Sequence, residues 1–174
     1  MIRLIIFAVI SAGLFLWSRP FLRDTRSHGF FRFFAFESIA ALILLNASQW
    51  FRDPFTAHQI FSWILLSASL FMAVHGFYLL REIGRPQGNF ENTTALVTAG
   101  AYRYIRHPLY SSILLLGWGA FFKAPSFFGT ILVLTASAFI IATARVEEME
   151  NLHKFGAEYA EYMKRTRMFI PFVL

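Results

Sequence analysis

Apolar residues in this chain lie in blocks: 4–17, 33–51, 60–80, 109–122 and 127–144, each bounded by charged residues, Pro or Gly. Continuous apolar runs of this length predict helices buried on all sides, and a bilayer needs roughly 20 such residues per crossing, fewer or more with tilt. The pattern therefore predicts an all-α polytopic membrane protein with five transmembrane helices. The first block follows Arg3 as a signal peptide would, but Ser18-Arg19-Pro20 leads into a basic segment rather than a small-residue cleavage site, so it reads as the first membrane helix. Arg52-Asp53-Pro54 makes a turn between the second and third helices, and Lys123-Ala124-Pro125-Ser126 a short hairpin whose Ser126 caps the fifth. His107-Pro108 starts the fourth helix, with Pro at its first position. Past Ala144 the pattern turns amphipathic, with Leu152, Phe155, Tyr159, Tyr162 and Met163 on one helical stripe, predicting a C-terminal helix on the membrane surface.

Between the third and fourth helices runs the longest polar stretch, opened by Gly84-Arg85-Pro86-Gln87-Gly88. It carries Leu96, Val97, Tyr102, Tyr104 and Ile105, with Gly100 as a turn, and a loop of that length carries function more often than connection alone. With no internal repeat or low-complexity linker, the chain reads as one domain, 1–174, in which 1–80 is scaffold and 81–174 holds the site.

Composition agrees with a lipid solvent: 57% hydrophobic and 15% charged residues, against about 45–50% and about 25% in soluble domains. The 22 Phe are explained by packing against lipid and between helices. Net charge of +6 would suit nucleic acid, but thirteen of the sixteen Lys and Arg fall on one side of the five spans, leaving Arg3, Arg52 and Lys123 on the other. The positive-inside rule then places the N-terminus outside and the C-terminus, with the loop before the fourth helix, in the cytoplasm. Anionic lipid accounts for the basicity better than nucleic acid, which is not expected as a partner. Without Cys, disulfides, zinc–thiolate sites and thiol nucleophiles are excluded, and no metal site is expected.

Two clusters are candidates for chemistry. Glu148 falls within the apolar stripe, with Arg145 on the same face and Glu147 about 100° to the side. An acid there needs a partner. Either Arg145 bridges it at i, i+3, or Glu147 or Glu148 holds a cationic cofactor while Arg145 holds an anionic or carbonyl-bearing substrate. The second cluster, Tyr102 and Arg106-His107-Pro108-Leu109-Tyr110, consists of residue types common at a membrane edge, but its basic residues at a helix start also suit a carboxylate. Glu37 and His75, inside the second and third spans, either line a substrate cavity or accept a proton from an amine; Glu37 alternatively snorkels to Arg32.

Taken together, Leu96-Val97-Thr98-Ala99-Gly100-Ala101-Tyr102, Arg106-His107-Pro108-Leu109-Tyr110, a helical hairpin, Glu147-Glu148, Phe155-Gly156-Ala157-Glu158-Tyr159 and the closing Ile170-Pro171 resemble the isoprenylcysteine carboxyl methyltransferase family and its phospholipid methyltransferase relatives. The resemblance covers residues 87–171; residues 1–80 share only hydrophobic helices. It implies a cytoplasm-facing pocket for S-adenosylmethionine, roofed by the C-terminal helix, with a lipophilic substrate entering sideways from the membrane. Carried over by motif position, the cofactor contacts are Gln87, Thr94, Ala95, Leu96, Val97, Tyr102, His107, Pro108, Leu109, Tyr110 and Glu147. Arg145, Glu147 and Glu148 are the catalytic candidates. The family's substrate-positioning arginine falls where this chain has Thr143, leaving Arg145 as the nearest candidate. A carboxylate acceptor of isoprenylcysteine type is the leading expectation; the alternatives are a phospholipid amine, a sterol-reductase-like NADPH enzyme and a non-enzymatic adaptor.

Overall fold

The computed structural model describes residues 1–87 and 93–171. Among them are six α-helices: α1 (Ile2–Ser18), α2 (His28–Leu45), α3 (Ala57–Glu82), α4 (Pro108–Phe121), α5 (Phe127–Phe155) and α6 (Ala157–Arg165), with a 3-10 turn at Gly100–Arg103. By length and composition α2, α3 and α5 can each cross a membrane; α1 and α4 are apolar but shorter, at 17 and 14 residues. The breaks fall where local chemistry places them. Pro108 opens α4. The Ser126 hydroxyl accepts the Gly129 N–H at 3.1 Å, ending the search of one orphan donor at the start of α5. Ser126→Ala is expected to cost about 1 kcal/mol, read as a small drop in the midpoint of thermal unfolding in detergent.

The residues form two compact units. One comprises Met1–Ser67 and Leu114–Val146. Its buried residues include a cluster of Leu42, Ala120 and Val133, with Ile43, Trp50, Trp118, Phe121 and Leu132 packed on it. Apolar contact gives helices in lipid little preference for one another, so close backbone approach and interhelical hydrogen bonds fix register. Ser62 donates to the carbonyl of Gly119 at 2.7 Å, and a Cβ on Gly119 would stand 2.9 Å from the Leu66 side chain. Asn46 Nδ2 donates to the carbonyl of Ala120 at 2.8 Å.

Charged residues in this unit are used differently from the sequence expectation. Arg32 lies within α2, buried, its guanidinium 4.7 Å from the Trp17 ring centroid. Glu37 takes a hydrogen bond from Ser11 of α1. Lys123, in the short hairpin before α5, is 1% exposed, with Nζ 3.5 Å from the Trp63 centroid and 3.0 Å from Gln59 Oε1. The π faces of Trp63 and Trp50 supply negative potential where no carboxylate is adjacent in sequence.

Candidate functional site

The second unit, Ala68–Ile113 and Glu147–Leu174, contains nearly all of the sequence-derived site residues. Its first element is the return of the chain onto the end of α3. The carbonyl of Gly84 accepts the N–H groups of Thr94 at 2.8 Å and Ala95 at 3.2 Å, and the Thr94 hydroxyl donates to the carbonyl of Arg85 at 2.9 Å. A Cβ on Gly84 would lie 2.8 Å from Thr93 Cγ2, so glycine admits this contact. Gln87 is exposed beside this turn; Gly88, grouped with it in sequence, lies outside the described residues.

Further along, Val97 and Tyr102 bury themselves against Leu79 of α3, with Leu80 at the margin. Leu96 and Ala95 are half-buried. Gly100 lets the chain turn there: its φ is +58°, and an added Cβ would meet Leu79 Cδ1 at 2.6 Å and His75 Nε2 at 2.7 Å. His75 is thus packed under a backbone turn and stacked on Phe71 at 5.7 Å. Gly100→Ala combines a left-handed conformation with a steric clash; a loss of at least 1–2 kcal/mol is expected, measurable as a lower unfolding midpoint.

The C-terminal segment is laid alongside this stretch. Backbone bonds from Arg106 N to Arg167 O (2.7 Å), His107 N to Met168 O (3.1 Å) and Arg167 N to Tyr104 O (3.1 Å) form a short parallel bridge. Ser111 Oγ donates to Phe169 O at 2.9 Å, and the Tyr162 hydroxyl to Tyr102 O at 2.6 Å. The bridge requires α5 to stop. Gly156, with φ +56°, breaks the helix, so the continuous stripe expected from Leu152 to Met163 is divided. Tyr159 and Tyr162 of α6 are buried, whereas Leu152 near the end of α5 is exposed.

Arg106 connects these pieces. Its Nε is 2.5 Å from Glu148 Oε1, and its Nη1 donates to the carbonyls of Thr166 at 2.6 Å and Met163 at 3.4 Å, the C-terminal end of α6 where a cation is favoured. His107 Nε2 lies 3.3 Å from the same Glu148 oxygen; since a carboxylate only accepts, the imidazole is the donor. Glu148 is thereby buried and doubly held. Arg145 is exposed and belongs to the other unit, so the expected i, i+3 bridge is replaced by a pair far apart in sequence.

Glu147 is different. It is half-buried, its Oε2 accepts the Tyr110 hydroxyl at 2.5 Å, and no Arg or Lys bonds it among the described residues. Burial raises the Tyr102 phenol well above its ordinary value, and the negative charge of Glu147 raises it further. Burial does the same for Tyr159 and Tyr162, with the charge of Glu148 adding to Tyr159 and the neighbouring Tyr159 adding to Tyr162. These phenols stay protonated at any physiological pH and serve only as neutral donors and ring faces. Pro108 is buried and Leu109 packs on Gly76, whose built Cβ would be 3.1 Å from Leu109 Cδ2.

The structure thus brings Val97, Tyr102, His107, Pro108, Leu109, Tyr110, Glu147 and Glu148 into one unit, with Thr94 and Gln87 at its exposed edge. Sequence reasoning missed Thr166, Ser111 and the structural use of Arg106. The signal for the last was available in part: a basic residue that can reach the end of an amphipathic helix is a natural cap for its carbonyls.

Residues 57–158 match the phospholipid methyltransferase family model. The mouse protein-S-isoprenylcysteine O-methyltransferase is 31% identical over 93 residues, which is 50% of this chain and 31% of that protein. Its human counterpart is 32% identical over the same extent. Methanethiol S-methyltransferase 2 of Bradyrhizobium diazoefficiens is 28% identical over 111 residues, 63% of this chain and 42% of that protein. The matched region spans about a third of the mammalian relatives' length. With the family model covering more than half of its residues, the chain belongs to the phospholipid methyltransferase family.

Proposed function

We propose that the chain is an integral membrane methyltransferase that uses S-adenosylmethionine to methylate a lipophilic acceptor. The observation that carries this reading is the different pairing of two adjacent acids: Glu148 is ion-paired with Arg106 and hydrogen-bonded by His107, while Glu147 is bonded by the Tyr110 hydroxyl. A carboxylate held, among the described residues, by a phenol rather than a cation, with buried tyrosine rings beside it, suits a ligand carrying positive charge. S-adenosylmethionine meets that requirement and supplies a methyl group on a sulfonium that any nucleophile in line can take.

The chain's own residues then have distinct tasks. Tyr110 orients the Glu147 carboxylate, and Tyr102 offers a ring face and an uncharged hydroxyl beside it. Gln87, Thr94, Ala95 and Leu96 are the accessible members of the proposed contact set, and Val97, Pro108 and Leu109 support them from the buried side. Arg106, His107 and Glu148 are positioning residues: they fix the C-terminal segment against the start of α4. With a carboxylate acceptor no general base is required, because the nucleophile is already ionised, and positioning accounts for most of the rate effect. Arg145, exposed on α5, is the candidate for an anionic acceptor.

We place the apolar helices α1 to α5 as five crossings, with the second unit facing the cytoplasm, on the bias of the basic residues. An isoprenylcysteine-like carboxylate is the leading acceptor, by the mammalian relatives; the Bradyrhizobium relatives, matched over a larger share of this chain, favour a small thiol as the second reading. Calorimetry of detergent-purified protein with S-adenosylmethionine tests the cofactor. Saturable binding is expected; folded wild-type protein without any heat of binding sinks the reading.

A further inference from the structure

The connection between α1 and α2, residues 19–27, is short and internally bonded. The carbonyl of Ser18 accepts the N–H of Phe21 at 2.9 Å and of Leu22 at 3.1 Å, and Ser27 N donates to Asp24 O at 3.1 Å. The Ser27 hydroxyl is shared between the carbonyls of Phe21 (3.0 Å) and Asp24 (2.9 Å), and it accepts the N–H of Phe30 at 3.2 Å as the cap of α2. Phe21 folds inward over Gly29, where a Cβ would meet its ring at 2.5 Å. The turn is therefore pinned at both ends and through its middle.

What it presents outward is one sign of charge. Arg19, Arg23 and Arg26 are all exposed, and Asp24 is the sole acid between them. That acid is engaged with the backbone, its Oδ1 accepting the Arg26 N–H at 2.9 Å. Holding three guanidinium groups on so short a pinned segment costs repulsion that an internal ion pair would relieve more cheaply. Immediately before the turn, the last residues of α1, Phe15, Leu16 and Trp17, are also exposed. Cations next to a lipid-facing aromatic residue at a helix end mark the level of phospholipid headgroups.

We propose that this turn is a docking surface for an anionic phospholipid, with Arg19, Arg23 and Arg26 on its phosphate and Phe15, Leu16 and Trp17 against its acyl chains. The adjoining apolar side chains favour a lipid over free phosphate: they add contacts that an inorganic ion cannot make. Binding of this kind falls with salt, because exposed charges are screened over about 10 Å at 0.1 M. The surface is independent of the methyl-transfer reading, since none of its residues belongs to the unit that carries Glu147.

The test uses the full chain, purified in detergent and then equilibrated with phosphatidylcholine vesicles with or without phosphatidylglycerol. Native mass spectrometry counts retained lipid. Wild type is expected to retain phosphatidylglycerol in preference, and R19Q/R23Q/R26Q to lose that preference by about a hundredfold, about fivefold or ~1 kcal/mol per arginine. An unchanged unfolding midpoint in phosphatidylcholine shows that the triple variant is folded, and single Arg23→Gln serves if it is not. Equal preference in variant and wild type, no preference in wild type, or full displacement of the lipid by inorganic phosphate would each overturn the proposal.

Discussion

Arg106→Ala releases the C-terminal segment from the start of α4 and destabilises the chain by about 3–5 kcal/mol, the range for removing one partner of a buried ion pair. Three losses add in the same direction. Glu148 is left as a buried carboxylate with only His107 near it, and the carbonyls of Thr166 and Met163 lose their donor at the end of α6. The parallel bridge at Ile105 and Arg167 and the neutral bonds from Ser111 and Tyr162 then have to hold the segment without an ion pair. Limited trypsin digestion reads this directly, because Lys164, Arg165 and Arg167 become cleavable sites once the segment lifts, alongside a lower unfolding midpoint. Arg106→Lys restores the charge but not the fork that reaches the acid and two carbonyls together, so it recovers only part of the loss. A variant as resistant to trypsin as wild type would show that the backbone bridge suffices without the guanidinium.

Glu147→Gln is the second large effect, and its signature is the opposite: a folded protein that has lost its ligand. The amide keeps an acceptor for Tyr110, so the local hydrogen bond survives, while the negative charge that the proposed cationic ligand would meet is gone. A hydrogen bond to a charged group contributes roughly 1.5–3 kcal/mol, which corresponds to a loss of about ten- to more than a hundredfold in affinity for S-adenosylmethionine. Glu148→Gln is the matched control. It is expected to lower the unfolding midpoint, because Arg106 is then buried without its counter-charge, and to affect ligand affinity only through that loss of order. If Glu148→Gln abolishes binding in a fully stable protein while Glu147→Gln binds normally, the assignment of the two acids is reversed.

The adjacent acids show where sequence periodicity stops being informative. Placed on an ideal helix, Glu148 falls on the apolar stripe, and its burial follows; that part was legible. Which cation neutralises it was not, because Arg145 at i, i+3 and Arg106, forty-two positions away, are equally good chemical partners on paper. Similarly, the extent of the polar stretch before α4 was legible, and Gly100 gave its turn and Pro108 the start of α4 by conformational necessity. The direction in which the chain runs back over it was invisible, since a parallel backbone bridge draws on N–H and C=O groups that every residue carries. Gly156 illustrates the same limit. Its neighbours fit a continuous stripe, and the broken helix is the one in which Tyr162 reaches the carbonyl of Tyr102 and Arg106 reaches the carbonyl of Thr166.

By itself the sequence determined the all-helical, largely apolar character of the chain, the cap at Ser126, the start of α4 at Pro108 and the family motifs, all of which depend on residues close together in the chain and on the cost of exposing apolar surface to water. Tertiary structure alone decided that Lys123 sits in a tryptophan-lined interior, that Arg106 ties Glu148 to the end of α6, and that Glu147 bonds Tyr110 rather than an arginine. Those outcomes depend on which buried charge meets which partner across the fold, and a buried charge is governed by the few atoms within hydrogen-bonding distance, wherever in the chain they come from.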